Sequence, residues 1–222
     1  IARFRGNRNL QEAFEDLFFQ YVKKLENKGY TEHSEVFVDG TKIESKANRY
    51  TFVWLKQVSK QLEKIKARLK ELVCPQGNLT STKVEKRLEQ LNTEIEAQGI
   101  EVKKGRGHHK PEIVRERDEL ALLYRRWMEY NRKKAICGEN RNSYSKTDTD
   151  ATFMHMKDDH MRNGQLKPGY NVQFAVNSGF ITGIGVFSNR TDFGTLIPFL
   201  TYLWHKHGKS YRNVVADSGY ES

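Results

Sequence analysis

The sequence predicts an α/β fold, in which a mixed sheet with flanking helices is interrupted by a long antiparallel helical insertion. Two short apolar runs, 36–38 and 214–216, each lead directly into an aspartate, and two β-rich runs follow one another at 170–176 and 180–187. Between these groups, apolar residues recur every three or four positions, which is the period of packed helices. Strand-like and helix-like segments therefore share one chain, as they do in α/β domains.

The first two predicted elements are an amphipathic helix and a strand. Residues 9–28 form the helix, and Gly29 is a stop signal. Residues 35–43 are rich in β-branched and aromatic side chains, which favours a strand. Asp39-Gly40 leaves an alternative open, because Asp-Gly also fills two-residue hairpin turns. The helical face carries Leu10, Phe14, Leu17, Tyr21 and Leu25.

The middle of the chain, from about 52 to 135, predicts helices that pack on one another. Three apolar stripes with helical spacing are separated by Pro75-Gln76-Gly77 and by a Lys- and Gly-rich loop at 99–107. Short stripes with such breaks favour an antiparallel hairpin or a three-helix arm over a long parallel coiled coil. The stripes are Leu55, Val58, Leu62, Ile65, Leu69 and Leu72; Val84, Leu88, Leu91 and Ile95; and Ile113, Arg117, Leu120, Tyr124 and Trp127.

The last part of the chain predicts two strands, a helix and a further strand. The β-rich runs are joined by the turn signal Asn177-Ser178-Gly179. The helix is expected to begin at Thr195, with Asp192 as the other candidate N-cap, and to end at Gly208. Residues 211–217 form the final strand, and the strand–helix–strand order implies a parallel crossover.

Positive charge is concentrated in one region. The 38 Lys and Arg residues against 28 Asp and Glu residues give a formal net charge of +10. Residues 101–146 hold 13 basic and 7 acidic residues, a net of +6. Such clustering favours a nucleic-acid-binding surface. A soluble basic protein with no polyanionic partner remains the alternative, because net charge alone does not identify a ligand.

Composition argues against several protein classes. No run approaches 18 consecutive apolar residues, so no membrane span is predicted. Cys74 and Cys137 lack a CxxC spacing, which argues against a structural zinc site or disulfide scaffold and favours a reducing cytosol. The opening residues, IARFRGNRN, contain neither an initiator Met nor an apolar signal core. This start predicts that the sequence begins inside a longer protein.

Asp39 and Asp217 are the candidate catalytic residues, because each follows an apolar strand directly. In an open α/β sheet, functional groups collect just beyond the carboxyl ends of the strands. If the two strands are parallel neighbours, both carboxylates reach one crevice and repel each other. Mg²⁺ removes that repulsion, and a pair of such ions can activate a nucleophile and stabilise the leaving oxygen of a phosphodiester. Gly40 and Gly219 would let a nucleic-acid backbone come close.

Three segments resemble the DDE transposases of bacterial insertion sequences. They are VFVDGTKIES at 36–45, DTDATFMHMKDDHMRNGQLKPGYNVQFAV at 148–176 and VVADSGYES at 214–222. NGQLKPGYNVQ, within the second segment, is the most specific piece. The resemblance is close over residues 1–50 and 147–222, whereas the region between matches mainly in its helical, charged character.

The resemblance implies an RNase H-like catalytic domain that cleaves DNA strands and transfers them with Mg²⁺ or Mn²⁺, two ions in the intact enzyme. Asp39 would be the first catalytic acid and metal ligand, and Asp217 the second. A Glu in a later helix would be the third, and Glu221 follows Asp217 too closely to fill that position. We therefore expect this chain by itself to be an inactive fragment.

The resemblance also implies how the chain is divided and what it meets. Residues 1–30 would be the remnant of an N-terminal helical DNA-binding domain, 31–50 with 147–222 an incomplete RNase H-like catalytic domain, and 51–146 an inserted basic helical arm. The partners would be DNA, as transposon ends and target, and further copies of the protein in a synaptic complex, with no membrane. The location would be the bacterial cytoplasm, with the nucleoid when DNA is bound.

Further residues are candidates with competing interpretations. Asp148 and Asp150 favour turn formation over a place in the site, and Asp192 favours a helix cap. His155, Asp158, Asp159 and His160 resemble a metal cluster, but a basic loop that faces DNA is the better interpretation. Lys42 can meet a phosphate or be a plain exposed lysine. The predicted DNA contacts are Lys42, Lys103, Lys104, Arg106, Lys110, Lys157, Arg162 and Lys167.

Two functions other than catalysis remain open. A chain without its third acid can bind DNA through charge and catalyse nothing, in which case its affinity falls steeply with salt. A coiled-coil interaction protein with an appended sheet is the other alternative, and it predicts that residues 52–135 form a stable parallel dimer.

Overall fold

The structure is a computed structural model that describes residues 8–100, 110–157 and 164–221. It is a mixed α/β protein whose chain contacts divide it into two compact units. Ile1–Phe52 and Tyr144–Ser222 form the first unit, and Val53–Ser143 form the second. The elements are α1 (Arg8–Asn27), β1 (Glu35–Glu44), β2 (Phe52–Trp54), α2 (Leu55–Val73), α3 (Ser81–Ala97), α4 (Glu112–Cys137), β3 (Ser143–Ser145), β4 (Thr152–His155), β5 (Leu166–Asn177), β6 (Phe180–Phe187), α5 (Leu196–His207), β7 (Asn213–Ala216) and a 3₁₀ turn (Ser218–Tyr220).

The first unit contains a five-stranded mixed sheet built around β5. β1 pairs antiparallel with one edge of β5, and β7 pairs parallel with the far edge of β1. On its other edge β5 pairs antiparallel with β4 near its start and with β6 along the rest. β6, α5 and β7 follow one another in the chain, so α5 is the crossover that the sequence predicts. β4 was not predicted as a strand, because residues 152–155 were interpreted as part of a loop. β2 and β3 pair separately.

The β1 strand runs straight through Asp39-Gly40, so a hairpin turn at this pair is wrong. Asp39 lies opposite Phe174 and Gly40 opposite Gln173, in the middle of the β1–β5 ladder. The hairpin lies instead between β5 and β6, at Ser178-Gly179. Both residues have positive φ, 51° and 82°, as a type I′ turn requires, and the turn signal in the sequence is confirmed.

One face of the sheet packs against α5. Val36, Val38 and Ala175 are buried there, together with Phe199 and Leu203 of the helix. Glycines on β6 allow the helix to come close: a Cβ on Gly183 would lie 2.2 Å from Leu203 Cδ2. The other face exposes large apolar side chains, among them Phe37, Ile184 and Val186. The sheet therefore has one closed face and one open face.

The buried side of α1 differs from the predicted stripe. Phe14, Leu17 and Tyr21 are 58–60% exposed, whereas Val22 and Leu25 are buried. Phe19 packs edge-on against Tyr202 of α5, with ring centroids 5.9 Å apart. The helix carries apolar side chains around more than one face, and contact with α5 selects which of them is buried. Of the residues on the predicted apolar face, Leu25 is therefore buried, whereas Phe14, Leu17 and Tyr21 are exposed.

A pair of histidines joins α1, α5 and the loop before β1. The His33 and His207 rings lie 5.5 Å apart, and His207 Nε2–H donates to the Thr182 carbonyl at 3.1 Å. His33 Nδ1 lies 3.4 Å from the Glu26 carboxylate. Burial, and then the neighbouring His33, lower the pKa of His207, although Glu26 and the Thr182 carbonyl act in the opposite direction. The folded chain therefore disfavours the protonated form of His207.

We expect the stability of the first unit to fall as the pH drops below about 6.5, the pKa of an unfolded histidine. A group whose pKa is lower in the folded state binds its proton more readily when unfolded, so protonation favours unfolding. His207→Asn should reduce this pH dependence, measured as urea midpoints at pH 7.5 and 5.5. His205→Asn, an exposed position on the same helix, is the matched control. Equal pH dependence in His207→Asn and the wild type would refute this account.

The second unit consists of three helices, with α2 antiparallel to α4. Arg68 of α2 pairs with Glu119 at 2.8 Å, and the Leu55 N–H donates to the Asn142 carbonyl at 2.8 Å. Arg87 of α3 pairs with Glu116 at 2.7 Å. Three separate helices form, in agreement with the predicted three-helix arm. The buried residues of these three helices are Val58, Leu62, Ile65, Leu69, Val84, Leu91, Ile95, Val114, Leu120, Trp127 and Cys137.

The third apolar stripe matches its prediction at Leu120 and Trp127, which are buried, and differs at its start. Val114 is fully buried, whereas Ile113 is only half-buried. Arg117 stays at the surface, where it donates to Asp118 and to Asn92. Cys74 and Cys137 are both free thiols. Among the residues that the structure describes, no helix is long and apolar enough to cross a membrane.

Candidate active site

Asp39 and Asp217 lie next to each other on neighbouring parallel strands. The last pair of the β1–β7 ladder is Val38 with Ala216, and the next residue in the chain is Asp39 within β1 and Asp217 directly after β7. Neighbouring strands run about 4.8 Å apart. Because side chains alternate along a strand, both carboxylates share the face of Phe37 and Val215, which is the open face of the sheet. Both aspartates are exposed.

Each carboxylate is oriented by a backbone N–H close to it in the chain. Asp39 Oδ1 accepts a hydrogen bond from the Gly40 N–H at 2.8 Å, and Asp217 Oδ1 accepts one from the Gly219 N–H at 2.8 Å. A Cβ on Gly219 would lie 2.9 Å from Asp217 Oδ1. Gly219 therefore makes room for the carboxylate of Asp217.

Gly40 likewise makes room for protein side chains. A Cβ at this position would lie 2.4 Å from Gln173 Nε2 and 2.5 Å from Asp192 Oδ1. Gly40 is buried. A side chain at this position would point toward the closed face of the sheet, opposite to the carboxylate of Asp39. The expectation that Gly40 admits a DNA backbone is therefore wrong, since its space is already filled.

Lys157 brings a positive charge to Asp39. Its ammonium donates to the Gly40 carbonyl at 2.6 Å and lies 3.8 Å from Asp39 Oδ1. The side chains of Lys157 and Asp39 are 53% and 79% exposed, so the pair is open to solvent. A hydrogen bond to the backbone fixes the ammonium beside the carboxylate more firmly than a surface ion pair alone would. Among the residues that the structure describes, Lys157 is thus a predicted DNA contact that lies beside Asp39.

The other predicted DNA contacts are distributed differently. Lys110 pairs with Asp118 at 2.7 Å, and Lys167 pairs with Glu44 at 2.8 Å. Lys42 is half-buried, opposite Asn171 in the β1–β5 ladder. Each acidic partner competes with a phosphate for its lysine. Lys103, Lys104, Arg106 and Arg162 lie outside the described residues, as do Asp158, Asp159 and His160 of the metal-cluster interpretation.

Asp192 has a different function from the helix cap expected of it. The N-cap of α5 is Thr195, and the Asp192 backbone carbonyl accepts its N–H at 3.0 Å. The Asp192 side chain turns away from the helix: its Oδ1 accepts from Gln173 Nε2 at 2.8 Å and from Asn171 Nδ2 at 3.0 Å. The sequence does carry a signal for this arrangement, since two amides interrupt the strand NVQFAV on the face that should be apolar.

Tyr220 lies close to all three carboxylates. It is 7% exposed, and its hydroxyl donates to Gln173 Oε1. Burial raises the pKa of Tyr220, and the negative charges of Asp192, Asp39 and Asp217 raise it further, in that order. Asp192 is therefore a third carboxylate near the two candidate ligands that sequence reasoning did not place in the site.

Asp148 is structural, as the turn interpretation predicts. Its Oδ2 accepts from Ser45 Oγ at 2.5 Å and from Tyr170 OH at 2.7 Å, and its Oδ1 accepts from the Asp150 N–H at 3.4 Å. Burial alone would raise the pKa of Asp148, but these hydrogen bonds together hold it below its usual value. The carboxylate thereby ties the end of β1 to the loop before β4.

The site as described contains two adjacent ligand candidates, not three. Among the described residues, no group of three or more His, Cys, Asp or Glu side chains is arranged to hold a metal ion. Asp192 is near, but Gly40 separates it from the open face and its Oδ1 is bonded to two amides. Comparison of the chain with protein-family models, with curated proteins and with solved structures gave no match.

Proposed function

We propose that this chain is catalytic-domain sequence of a DDE transposase, in which Asp39 and Asp217 hold the divalent cations for cleavage and strand transfer of DNA. The observation that carries the proposal is the position of the two aspartates. They lie 178 residues apart in the sequence, yet they follow the last residue pair of one parallel ladder. The mixed sheet, with the two acids adjacent where the parallel β1–β7 ladder ends, is compatible with the RNase H-like fold that the resemblance implies.

The two carboxylates suit Mg²⁺ or Mn²⁺ in number and exposure. Two ionised carboxylates on adjacent strands repel each other, and a divalent cation converts that cost into binding. Mg²⁺ is usually held by one or two carboxylates together with waters and phosphate oxygens. The Asp39 side chain is 79% exposed, which leaves room for such additional ligands. When bound, the ions would activate a water or a DNA 3′ hydroxyl and stabilise the leaving oxygen.

The chain's own residues contribute orientation and charge. The Gly40 and Gly219 N–H groups fix one oxygen of each carboxylate, so the remaining oxygens are presented from constrained side chains. Lys157 holds a positive charge beside Asp39, where it would meet a DNA phosphate that approaches the acids. Together these groups form a small surface in which anionic ligands for the metal and a cationic contact for the phosphate lie side by side.

The experiment that tests the proposal is a Mn²⁺ titration of the full chain, followed by the relaxation rate of water protons. We expect saturable binding that excess Mg²⁺ displaces, since both ions prefer the same oxygen ligands. Mn²⁺ that binds without saturating, or that Mg²⁺ does not displace, would contradict the proposal.

A second candidate function is DNA binding without catalysis, and it is favoured by the presence of two adjacent carboxylates rather than three in the described site. Both candidates predict DNA binding, and incubation with supercoiled DNA and Mg²⁺ separates them. Nicking that Asp39→Asn removes identifies the catalytic form. DNA that is bound and left intact identifies the second candidate.

Lys157→Ala should weaken DNA binding uniformly across sequences. A lysine that neutralises one phosphate contributes about 0.9 to the slope of log affinity against log salt concentration. We expect the variant to lose about that much of the slope, measured by fluorescence anisotropy with a short duplex. Lys209→Ala, an exposed lysine that pairs with Glu26, is the matched control. An unchanged slope in Lys157→Ala would show that this lysine does not contact DNA.

A further inference from the structure

The central strand of the sheet carries two buried amides. Asn171 and Gln173 of β5 are both 0% exposed, on the face that otherwise presents Ala175 to the core. A buried amide that lacks hydrogen-bond partners costs several kcal/mol on transfer from water, so a strand carries such groups only where partners await them. Because the two amides lie close to the candidate acids, their hydrogen-bond partners bear on how the acids are positioned.

The hydrogen bonds of Gln173 determine the orientation of its amide. Its Nε2 donates to Asp192 Oδ1 at 2.8 Å and to Asn171 Oδ1 at 2.9 Å, and its Oε1 accepts from Tyr220 OH. A carboxylate can only accept, so the NH₂ group of Gln173 must face Asp192 and the carbonyl must face Tyr220. Asn171 donates to the same Asp192 oxygen at 3.0 Å and fixes it from the other side.

Tyr220 links this network to Asp217. Asp217 is the N-cap of the turn Ser218–Tyr220, and its carboxylate accepts from the N–H of Gly219. The Tyr220 hydroxyl is therefore an anchor at the far end of the turn that Asp217 begins. Gln173 lies opposite Gly40 in the β1–β5 ladder, one position from the Asp39–Phe174 pair. One buried amide thus connects the turn of the second acid to the strand of the first.

We propose that Gln173 is a positioning residue that acts through Tyr220 to hold the Asp217 carboxylate beside Asp39, with Asp192 fixing the orientation of the Gln173 amide. The role assigned to the metal in this proposal rests on the proposed function. The network itself does not, because it consists of contacts within the chain. Gly40 is part of the arrangement, since only a residue without a side chain leaves room for Gln173 and Asp192.

Isosteric substitutions in the full chain test this proposal. Gln173→Glu replaces the donor that faces Asp192 with a second carboxylate and should loosen the turn. The double variant Gln173→Glu with Asp192→Asn restores a donor–acceptor pair in the opposite sense and leaves an acceptor for Tyr220. The shapes of the side chains hardly change, so a packing role alone predicts no loss and no rescue.

Two quantities are measured for these variants and for Tyr220→Phe. Tyr50→Phe is the matched control, because Tyr50 is 76% exposed. The first is hydrogen exchange of the Gly219 amide, which reports local opening of the turn. The second is the dissociation constant for Mn²⁺. For Gln173→Glu and Tyr220→Phe we expect exchange and the dissociation constant each to rise about tenfold, the lower end of effects seen for outer-shell partners of metal ligands. The double variant should return both values to near those of the wild type.

The two readouts separate this proposal from the proposed function. Faster exchange in the single variants and recovery in the double variant, with no Mn²⁺ bound by the wild type, would support the positioning network and contradict the metal site. Wild-type exchange and Mn²⁺ affinity in Gln173→Glu would overturn the network and leave the metal site standing. If Tyr220→Phe does not fold, the isosteric pair decides, and a double variant without recovery overturns the proposal.

Discussion

Gly40→Ala should strongly destabilise the first unit. The added Cβ would lie within 2.5 Å of both Gln173 Nε2 and Asp192 Oδ1. Neither atom can move aside freely, because the two are hydrogen-bonded to each other at 2.8 Å inside the network. Overpacking costs about 1–3 kcal/mol, and a hydrogen bond to a charged group contributes about 1.5–3 kcal/mol.

We therefore expect a loss of about 3–5 kcal/mol from the free energy of unfolding, a large part of the 5–15 kcal/mol typical of a domain. Urea unfolding followed on the NMR methyl signals of Val36 and Val38 reports the first unit alone. Gly77→Ala is the control, because its nearest neighbour would be the flexible Lys83 Nζ at 3.4 Å. A variant at Gly40 that unfolds at the wild-type urea concentration would show that the network is not packed as described.

Asp39→Asn and Asp217→Asn should each weaken Mn²⁺ binding by about tenfold or more. Each substitution removes one negative charge and one carboxylate ligand while it keeps the size of the side chain. Loss of outer-shell partners alone costs metal sites about 10–100-fold, and loss of a direct ligand should cost at least as much. The two variants should weaken Mn²⁺ binding to a similar extent, because either one leaves a single carboxylate at the candidate site.

Asp16→Asn is the matched control for these two variants. Asp16 is an exposed aspartate on α1, so its substitution changes the net charge by the same amount without touching the site. Retention of wild-type Mn²⁺ affinity by Asp39→Asn or by Asp217→Asn would remove that residue from the metal site. A comparable loss in Asp16→Asn would show that the effect comes from overall charge.

Local patterns in the sequence predicted most of the elements. The β-branched run before Asp39 and the Asn177-Ser178-Gly179 signal depend on neighbouring residues only, and both features are present. The α1 face was misjudged because the helix offers apolar side chains in several directions, and the contact with α5 decides among them. β4 was missed because TFMH gains its strand structure from pairing with the start of β5.

The distinction between local sequence patterns and long-range contacts applies to the site as well. Asp39 and Asp217 stand out because each ends an apolar run, which is a local feature. Lys157 reaches Gly40 across 117 positions, and Asp192 meets Gln173 through a side-chain bond that no spacing rule encodes. From the sequence, Gly40 was interpreted as a turn residue or as a point where DNA comes close. The atoms that fill the space beside it belong to β5 and to the segment before α5, which are distant in the sequence. Long-range packing assigns these functions, and the sequence shows only the unusual amides in a buried strand.

Paramagnetic broadening by Mn²⁺ tests the central claim most directly, namely that Asp39 and Asp217 face one cation site. The Gly40 and Gly219 amides each donate to one of the two carboxylates, so their NMR signals report the two ligands separately. We predict that both signals broaden together at the same low Mn²⁺ concentration and that either Asp39→Asn or Asp217→Asn protects both. Broadening of one amide without the other, or protection of only the amide next to the substituted aspartate, would contradict a shared site.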